Sequence, residues 1–427
     1  MISIEDVYQI FLTSGGVCID SRKVTSNDIF IALKGEHVDG HKFVKQVIDL
    51  QDTHAIIDDK DYYINERTIL VDNVLSFLQK LAQYHRAQFD IPVLGITGSN
   101  GKTTTKELIY QVLSTQFNVH STKGNYNNHL GVPLTLLDAP IDSDILIIEM
   151  GANHVGEIND LSHIACPTLG LITNIGEAHI EGFGSVEGII QGKTELYKYL
   201  HKTNGSVFIN RNDETLMKEL PRGIDHVFYP SENIIIQDSG LNLEIRSLDS
   251  GKIYNSSLYG IYNAINIQAA VTIGEYFKID LHKILEAIAN YHPNMNRSQI
   301  VRSNDNVLIM DAYNANPTSM KEAIKSMAAL EGTENKVLVL GDMKELGIEE
   351  VQYHQDIVDF LSNYSWQKVF LVGSLFKQTK NNSFNKFENV DQLIQNYEAY
   401  QESLKGSAFL LKASRSIQLE KFKEAFF

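Results

Sequence analysis

Cysteine is scarce in this chain, and the two present, Cys18 and Cys166, lie far apart with no partner spacing. That excludes a disulfide framework and a cysteine zinc site, so both are read as buried small residues. Long apolar runs are missing too: none approaches the ~18 residues that a membrane span needs. The first residues, Met1-Ile2-Ser3-Ile4-Glu5-Asp6, lack the basic-then-apolar layout of a secretion signal. A cytoplasmic protein that does not span a membrane is expected. Positive charge is in deficit, with a net −16. This argues against nucleic acid held on a basic surface, and no nucleic-acid partner is expected. No low-complexity tract or internal repeat stands out.

What remains is a chain of 427 residues, 43% apolar, long enough for about three globular domains. Its organising stretch is Val93-Leu94-Gly95-Ile96-Thr97-Gly98-Ser99-Asn100-Gly101-Lys102-Thr103-Thr104. A short apolar run enters a glycine-punctuated loop, and Lys-Thr-Thr opens an amphipathic stretch. This is the strand–loop–helix grammar of a phosphate-binding loop. Gly98 and Gly101 let backbone N–H groups turn toward phosphate oxygens, and the helix start adds partial positive charge. Lys102 can reach the β- and γ-phosphates, and the Thr103 hydroxyl can hold Mg²⁺. The strict P-loop pattern wants glycine where Ile96 stands, so the match is the shorter Gly98-x-x-Gly101-Lys102-Thr103. A nucleoside triphosphate is the predicted ligand.

Residues 1 to about 85 read as a small mixed module carrying two polar turns, Asp20-Ser21-Arg22 and Lys34-Gly35-Glu36-His37-Val38-Asp39-Gly40-His41. In the nucleotide-binding region, Ile145-Leu146-Ile147-Ile148 ends in Glu149, the place for a Mg²⁺-organising acid in an α/β NTPase. His179 follows the strand Thr168 to Thr173, and Lys193 falls in a helical stretch where solvent exposure is the ordinary reading. Segments between Ile234 and Ser257 read as antiparallel β. From about residue 297 strands and helices alternate, as a parallel sheet requires. Three polar motifs, at Asp311, Gly341 and Lys412, sit where strands end, and ligands of open α/β sheets collect at such ends.

Three segments together resemble one family, the Mur ligases, nearly end to end. They are Asp311-Ala312-Tyr313-Asn314-Ala315-Asn316-Pro317-Thr318-Ser319-Met320, Leu340-Gly341-Asp342-Met343-Lys344-Glu345-Leu346-Gly347, and Gly124-Asn125-Tyr126-Asn127-Asn128 with Gly131-Val132-Pro133. They are similar to the branch that adds a dipeptide, whereas the phosphate loop is shared with all Mur ligases and with folylpolyglutamate synthases. The resemblance implies an α/β fold of three domains. These would be a small mixed domain over 1–85 for the UDP-sugar substrate, a central P-loop-type ATPase domain with a parallel sheet over 86–297, and a Rossmann-like domain over 298–427.

It also implies an ATP-dependent ligase of peptidoglycan precursor synthesis. D-Ala-D-Ala would be joined to UDP-MurNAc-tripeptide through an acyl phosphate, with ATP and Mg²⁺ as cofactors, by a monomer. Gly98, Ser99, Asn100, Gly101, Lys102, Thr103 and Thr104 would cradle ATP, with Asn263, Arg297 and Asp311 completing its site. Thr103 and Glu149 would hold one Mg²⁺ and His179 a second. Lys193 would carry an N-carboxylate that bridges metal, although this chain has Gly-Lys-Thr-Glu-Leu where the family commonly has Ala-Lys-Gly-Glu-Ile. Lys102, Lys193, Glu149 and His179 form the implied catalytic set. Ser21, Arg22, Lys34, Gly35, Asp39, His41, Asn125, Asn127 and Asn128 would meet the UDP-linked substrate, and Asn314, Asn316, Lys412 and Arg415 the dipeptide.

Two rivals stand beside this reading. A sister ligase adding one amino acid typically has Asp-Asn-Pro-Arg where this chain has Asn-Ala-Asn-Pro. A nucleotide-gated binding module would need one metal, not the set at Glu149, His179 and Lys193.

Overall fold

Four sheets order the chain, and two of them bring their strand ends toward one cleft. The structure is a computed structural model and describes residues 2–294, 296–303, 306–380 and 383–427. The first sheet is parallel and four-stranded, in the order Gly16–Cys18, Asp28–Ile31, His54–Ile57 and Thr68–Leu70. The helix Val74–Arg86 follows, capped at its start by Asn73, whose side chain accepts from the Ser76 amide. Arg86 fastens this helix to the next unit by donating to the carbonyls of Ala165 and Cys166.

The central sheet has six parallel strands. In spatial order they are Asp225–Tyr229, Ser206–Asn210, Leu169–Ile172, Val93–Thr97, Ile145–Glu149 and Val119–Ser121. Val93–Thr97 and Ile145–Glu149 are buried along their whole length, as strands covered by helices on both faces must be. Each fully buried Leu or Ile there contributes roughly 1.5–3 kcal/mol of transfer free energy. A continuous apolar run therefore specifies this layer better than any turn. On one face, helix Lys102–Leu113 packs against helix Ala264–Tyr276 through Leu108, Ile109, Val112, Ile267 and Val271. Beyond the sheet lies a three-stranded antiparallel unit, Ile234–Asp238, Leu243–Ser247 and Ile253–Ser256.

The last sheet runs Gln299–Ser303, Asn306–Asp311, Ala408–Lys412, Lys336–Gly341, Lys368–Val372 and Asn385–Phe387. Its first pair is antiparallel and the rest parallel. The expectation of unbroken β/α alternation after residue 297 is thus corrected at one edge. Gln299–Ser303 is half-buried with one exposed residue, and such a short edge strand carries no strong periodic signal. The strands ending at Asp311, Lys412 and Gly341 are neighbours, so their three polar motifs share one sheet edge.

Two smaller expectations change. Cys18 and Cys166 are only partly buried free thiols. Lys193 ends the helix Val186–Lys193 inside the protein, 1% exposed, and not in solvent.

Candidate active site

The phosphate loop keeps its shape through the segment that follows strand Leu169–Ile172. Thr173 Oγ1 and Asn174 Nδ2 donate to the Asn100 carbonyl at 2.6 and 3.0 Å, and the Asn100 amide donates to Asn174 Oδ1 at 3.0 Å. Ser99 Oγ and the Gly176 backbone exchange hydrogen bonds of 2.9 Å. Gly98 has φ +141°, and a Cβ there would stand 2.0 Å from Thr173 Oγ1, so glycine is required. Gly101, at φ +77°, caps the helix Lys102–Leu113. Ile96 is buried inside the strand, which explains the missing first glycine: the strand runs further before the loop begins.

Lys102 Nζ folds back onto the carbonyls of Gly98 and Ser99 at 2.5 and 3.2 Å. Desolvation pushes its ammonium down to about 8, with Glu149 opposing the shift and Arg297 adding to it.

Glu149 ends its strand 1% exposed. Thr103 Oγ1 donates to its Oε1 at 3.2 Å and Asn127 Nδ2 to the same oxygen at 2.8 Å, while the Thr122 hydroxyl accepts from its backbone amide. The buried Oε2 has no hydrogen-bond partner among the described residues. A buried carboxylate oxygen without a partner, beside a threonine hydroxyl, is a hard-oxygen donor set, and the residues fit Mg²⁺. Among the described residues no three His, Cys, Asp or Glu side chains converge as a metal cluster.

His179, at φ +57°, pairs through Nδ1 with the Glu345 carboxylate, and the Glu181 amide donates to the Glu345 carbonyl. The hydrogen bond from His179 holds the Glu345 carboxyl below its ordinary range. Lys193 Nζ donates to the Ala152 carbonyl at 3.1 Å and lies 5.0 Å from the centre of the Phe183 ring. Burial, and then the Lys102 charge, hold its amine well below the ordinary lysine value.

A cleft of about 910 Å³ joins these parts. Ser99, Asn100, Gly101, Lys102, Thr103, Thr104, Glu149 and His179 line it, as do Asn125, Asn127, Asn128, Asn263, Arg297, Asp311, Asn314 and Lys412. Several of these side chains are already committed. Asn263, 2% exposed, donates to the Tyr259 carbonyl and accepts from Asn266. Asn128 Oδ1 accepts from the amides of Leu130 and Gly131. Lys412 Nζ pairs with Asp311 Oδ2 at 2.6 Å, both largely buried.

Arg297 stacks 3.6 Å from the centre of the Tyr313 ring, and Arg415 lies 5.5 Å from the same ring. Asn316 does not line the cleft; its amide pairs with Asn100. The N-terminal residues Ser21, Arg22, Lys34, Gly35, Asp39 and His41 are likewise outside its lining. They follow the ends of neighbouring parallel strands, where Arg22 pairs with Asp20, and buried His41 lies between Asp39 and Asp58.

Sequence reading missed Tyr313, Thr318 and Glu345, although all three stood inside distinctive motifs, and Thr173, Asn174 and Gln79. Gln79 lines the cleft from the N-terminal unit and donates to the His129 carbonyl.

Solved structures share this arrangement of domains, and relatives share the sequence. The UDP-N-acetylmuramoyl-tripeptide–D-alanyl-D-alanine ligase of Bacillus subtilis (strain 168) is 36% identical over 425 residues, which is 95% of this chain and 91% of the relative. The chain belongs to the Mur ligase family. The family's middle-domain model matches residues 96–274, its glutamate ligase domain 296–415, and its catalytic-domain model 14–86. Among solved structures, MurF from Acinetobacter baumannii superposes with a TM-score of 0.86 at 28% identity, covering 96% of this chain and 92% of that one. MurF ligase from Thermotoga maritima in complex with ADP gives a TM-score of 0.86 at 28% identity, covering 97% of each chain. The Mur ligase architecture of three α/β units expected from the sequence is the one observed. No helix among the described residues is long and apolar enough to cross a membrane.

Proposed function

We propose that this cleft is where the chain, an ATP-dependent amide ligase of peptidoglycan precursor synthesis, joins D-Ala-D-Ala to UDP-MurNAc-tripeptide. One observation carries the reading: a phosphate loop and the strand-end motifs at Asp311 and Lys412 open into a single cleft, in a chain 36% identical to a ligase of that name. The unit over 1–85 would hold the UDP-sugar, 86–297 would hold ATP, and 298–427 would bring in the dipeptide.

The tripeptide's terminal carboxylate attacks the ATP γ-phosphate, giving an acyl phosphate and ADP. The dipeptide amine then attacks the acyl carbon and expels phosphate. The first step sets an anion against a polyanion, so catalysis rests on charge neutralisation and positioning. Mg²⁺ bound at Glu149 and Thr103 would supply electrostatic stabilisation of the transferring phosphoryl group. Lys102, now resting on the loop carbonyls, would turn to the phosphates. Nucleotide raises its proton affinity, so binding below pH ~8 proceeds with the ammonium already charged. Arg297 would reach the same phosphates from the domain seam. His179 and an N-carboxylated Lys193 would serve a second metal, and the low proton affinity of the Lys193 amine favours the neutral form that reacts with CO₂. Water is kept from the acyl phosphate by the C-terminal unit standing over the loop.

The test is phosphate release from ATP and Mg²⁺, with UDP-MurNAc-tripeptide and D-Ala-D-Ala added singly and together. Release with both alone supports the ligase, and two tripeptides, carrying diaminopimelate or lysine, identify the third residue. Release with one amino acid in place of the dipeptide would overturn the dipeptide assignment.

A further inference from the structure

A reciprocal amide pair joins the phosphate loop to the C-terminal unit. Asn316 Nδ2 donates to Asn100 Oδ1 at 2.7 Å, and Asn100 Nδ2 faces Asn316 Oδ1 at 3.4 Å. The polarity of the pair is set from the C-terminal side. Asn316 caps the helix Pro317–Ala329, and its Oδ1 accepts from the Ser319 amide at 2.9 Å. Its Nδ2 must therefore face Asn100, which must present its carbonyl oxygen.

Asn100 is equally constrained. Its backbone is held on both sides by Thr173 and Asn174, so its side chain points where the loop's shape sends it. The seam beside the pair is tight. A Cβ at Gly176 would come within 3.2 Å of Thr318 Oγ1 and 3.4 Å of Asn100 Nδ2. Thr318 Oγ1 in turn accepts from the Glu177 amide at 3.2 Å. The two amides meet across the seam in both directions, and Tyr313, Asn314, Thr318 and Ser319 around Asn316 all line the cleft.

We propose that Asn100 and Asn316 are positioning residues that couple the two halves of the reaction: the ordered phosphate loop presents the Asn100 amide, and the Asn316 helix start docks on it. The dipeptide-side residues are thereby set in place only over a properly shaped nucleotide loop. This rests on the ligase reading and adds to it a role for the contact between the two side chains, beside whatever the loop's Asn100 does toward nucleotide. Asn316 is 5% exposed, so deleting its partner leaves a buried amide unsatisfied and opens the seam.

The experiment uses the full chain with Asn100→Ala, Asn316→Asp and both together, read by phosphate released per amide bond formed and by the KM of each substrate. Asn316→Asp keeps the helix cap, since a carboxylate also accepts from the Ser319 amide, and removes only the donor to Asn100. Each variant is expected to raise the dipeptide KM about five- to tenfold, with ATP KM moving far less in Asn316→Asp, which leaves the phosphate loop itself unaltered. The ratio of phosphate to amide rises above one, because the acyl phosphate waits where water reaches it. The double variant is expected to be no worse than either single one, as residues acting through one contact are not additive. A general folding defect would lower turnover and leave the ratio at one. Variants that keep the ratio at one and the native dipeptide KM, or shift both KM values in parallel, overturn the coupling alone. A parent chain that forms no amide overturns the ligase reading and the coupling with it.

Discussion

Asn127 donates its amide hydrogen to Glu149 Oε1 at 2.8 Å, which orients the carboxylate and leaves the buried Oε2 without a partner. A buried anion unsatisfied on one oxygen is costly unless a cation completes it. The geometry thus predicts a division of labour. Glu149→Gln should remove the metal-binding charge and lower turnover by about 100-fold or more, the scale of losing several kcal/mol of charge stabilisation. Asn127→Ala should only loosen the carboxylate, weakening metal affinity about tenfold. Mn²⁺ binding followed by electron paramagnetic resonance, beside steady-state turnover, separates the two. Equal effects from both variants would sink the orienting role of Asn127.

Lys193 combines deep burial, a hydrogen bond to the Ala152 carbonyl and an aromatic neighbour in Phe183. None of these demands a charge. Lys193→Met fills a similar volume with apolar atoms and should leave the thermal midpoint close to the parent's while turnover collapses. Lys193→Ala should lose turnover and regain part of it from short carboxylic acids that replace the N-carboxylate. A ¹³C-bicarbonate NMR signal present in the parent and absent from Lys193→Met would identify the modification. Lack of both signal and rescue would leave Lys193 with a packing role.

The legible parts of this protein were those whose physics is local. Gly98 and Gly101 are forced by positive φ, and the loop between a buried strand and a helix start was readable from that alone. Glu149 was readable because an acid ending a continuous apolar strand has few other reasons to be there. Partnerships across long separations were not. Asn100 and Asn316 are 216 residues apart, and each alone passes for turn chemistry. Burial of Lys193 depends on Phe183 and Ala152 arriving from other elements, while its own helix pattern suggested solvent. His41 sat in a promising polar turn, yet buried carboxylate contacts on both ring nitrogens use it up. Tyr313 and Glu345 were missed for a different reason: Tyr313 stood in a motif whose neighbours drew the functional assignment, and Glu345 stood in one that was read for family resemblance alone.

Tyr313 places one ring against two guanidinium groups, Arg297 at 3.6 Å and Arg415 at 5.5 Å. Two like charges on one ring are tolerable when each meets the π-face, and Arg297 opens onto the cleft where the anions are expected. Tyr313→Phe keeps the ring and should change kinetics by less than about twofold, given that cation–π attraction survives loss of the hydroxyl. Tyr313→Ala frees both arginines and should raise the ATP KM about fivefold, Arg297 being the closer partner. A larger effect on the dipeptide KM than on the ATP KM would reassign the ring to Arg415. Steady-state kinetics with each substrate varied in turn decides between them.

His354 makes the stability of this chain sensitive to mild acid. Its Nε2 accepts from the Met343 amide at 3.0 Å and its Nδ1 donates to the Glu350 carbonyl at 2.6 Å, so the ring is a neutral tautomer with no exposed surface. Burial, opposed by the Glu350 carbonyl and the Asp342 charge, holds its proton affinity below the ordinary value of 6.5. His85 and His120, also buried, are shifted in the same direction by the same cause. The unfolded chain therefore binds more protons than the folded one as pH falls below 6.5, and stability drops through that window. Above it both states are neutral at these positions and the contribution is flat. The histidine contribution to the thermal midpoint should be flat from pH 8 to about 7 and then lower it progressively toward pH 5, each histidine adding at most about 1.4 kcal/mol per pH unit. His354→Gln should lower the midpoint at neutral pH by removing the Met343 contact, yet make the acid slope shallower by up to one proton. An unchanged slope in that variant would show that His354 takes up its proton without leaving the folded state.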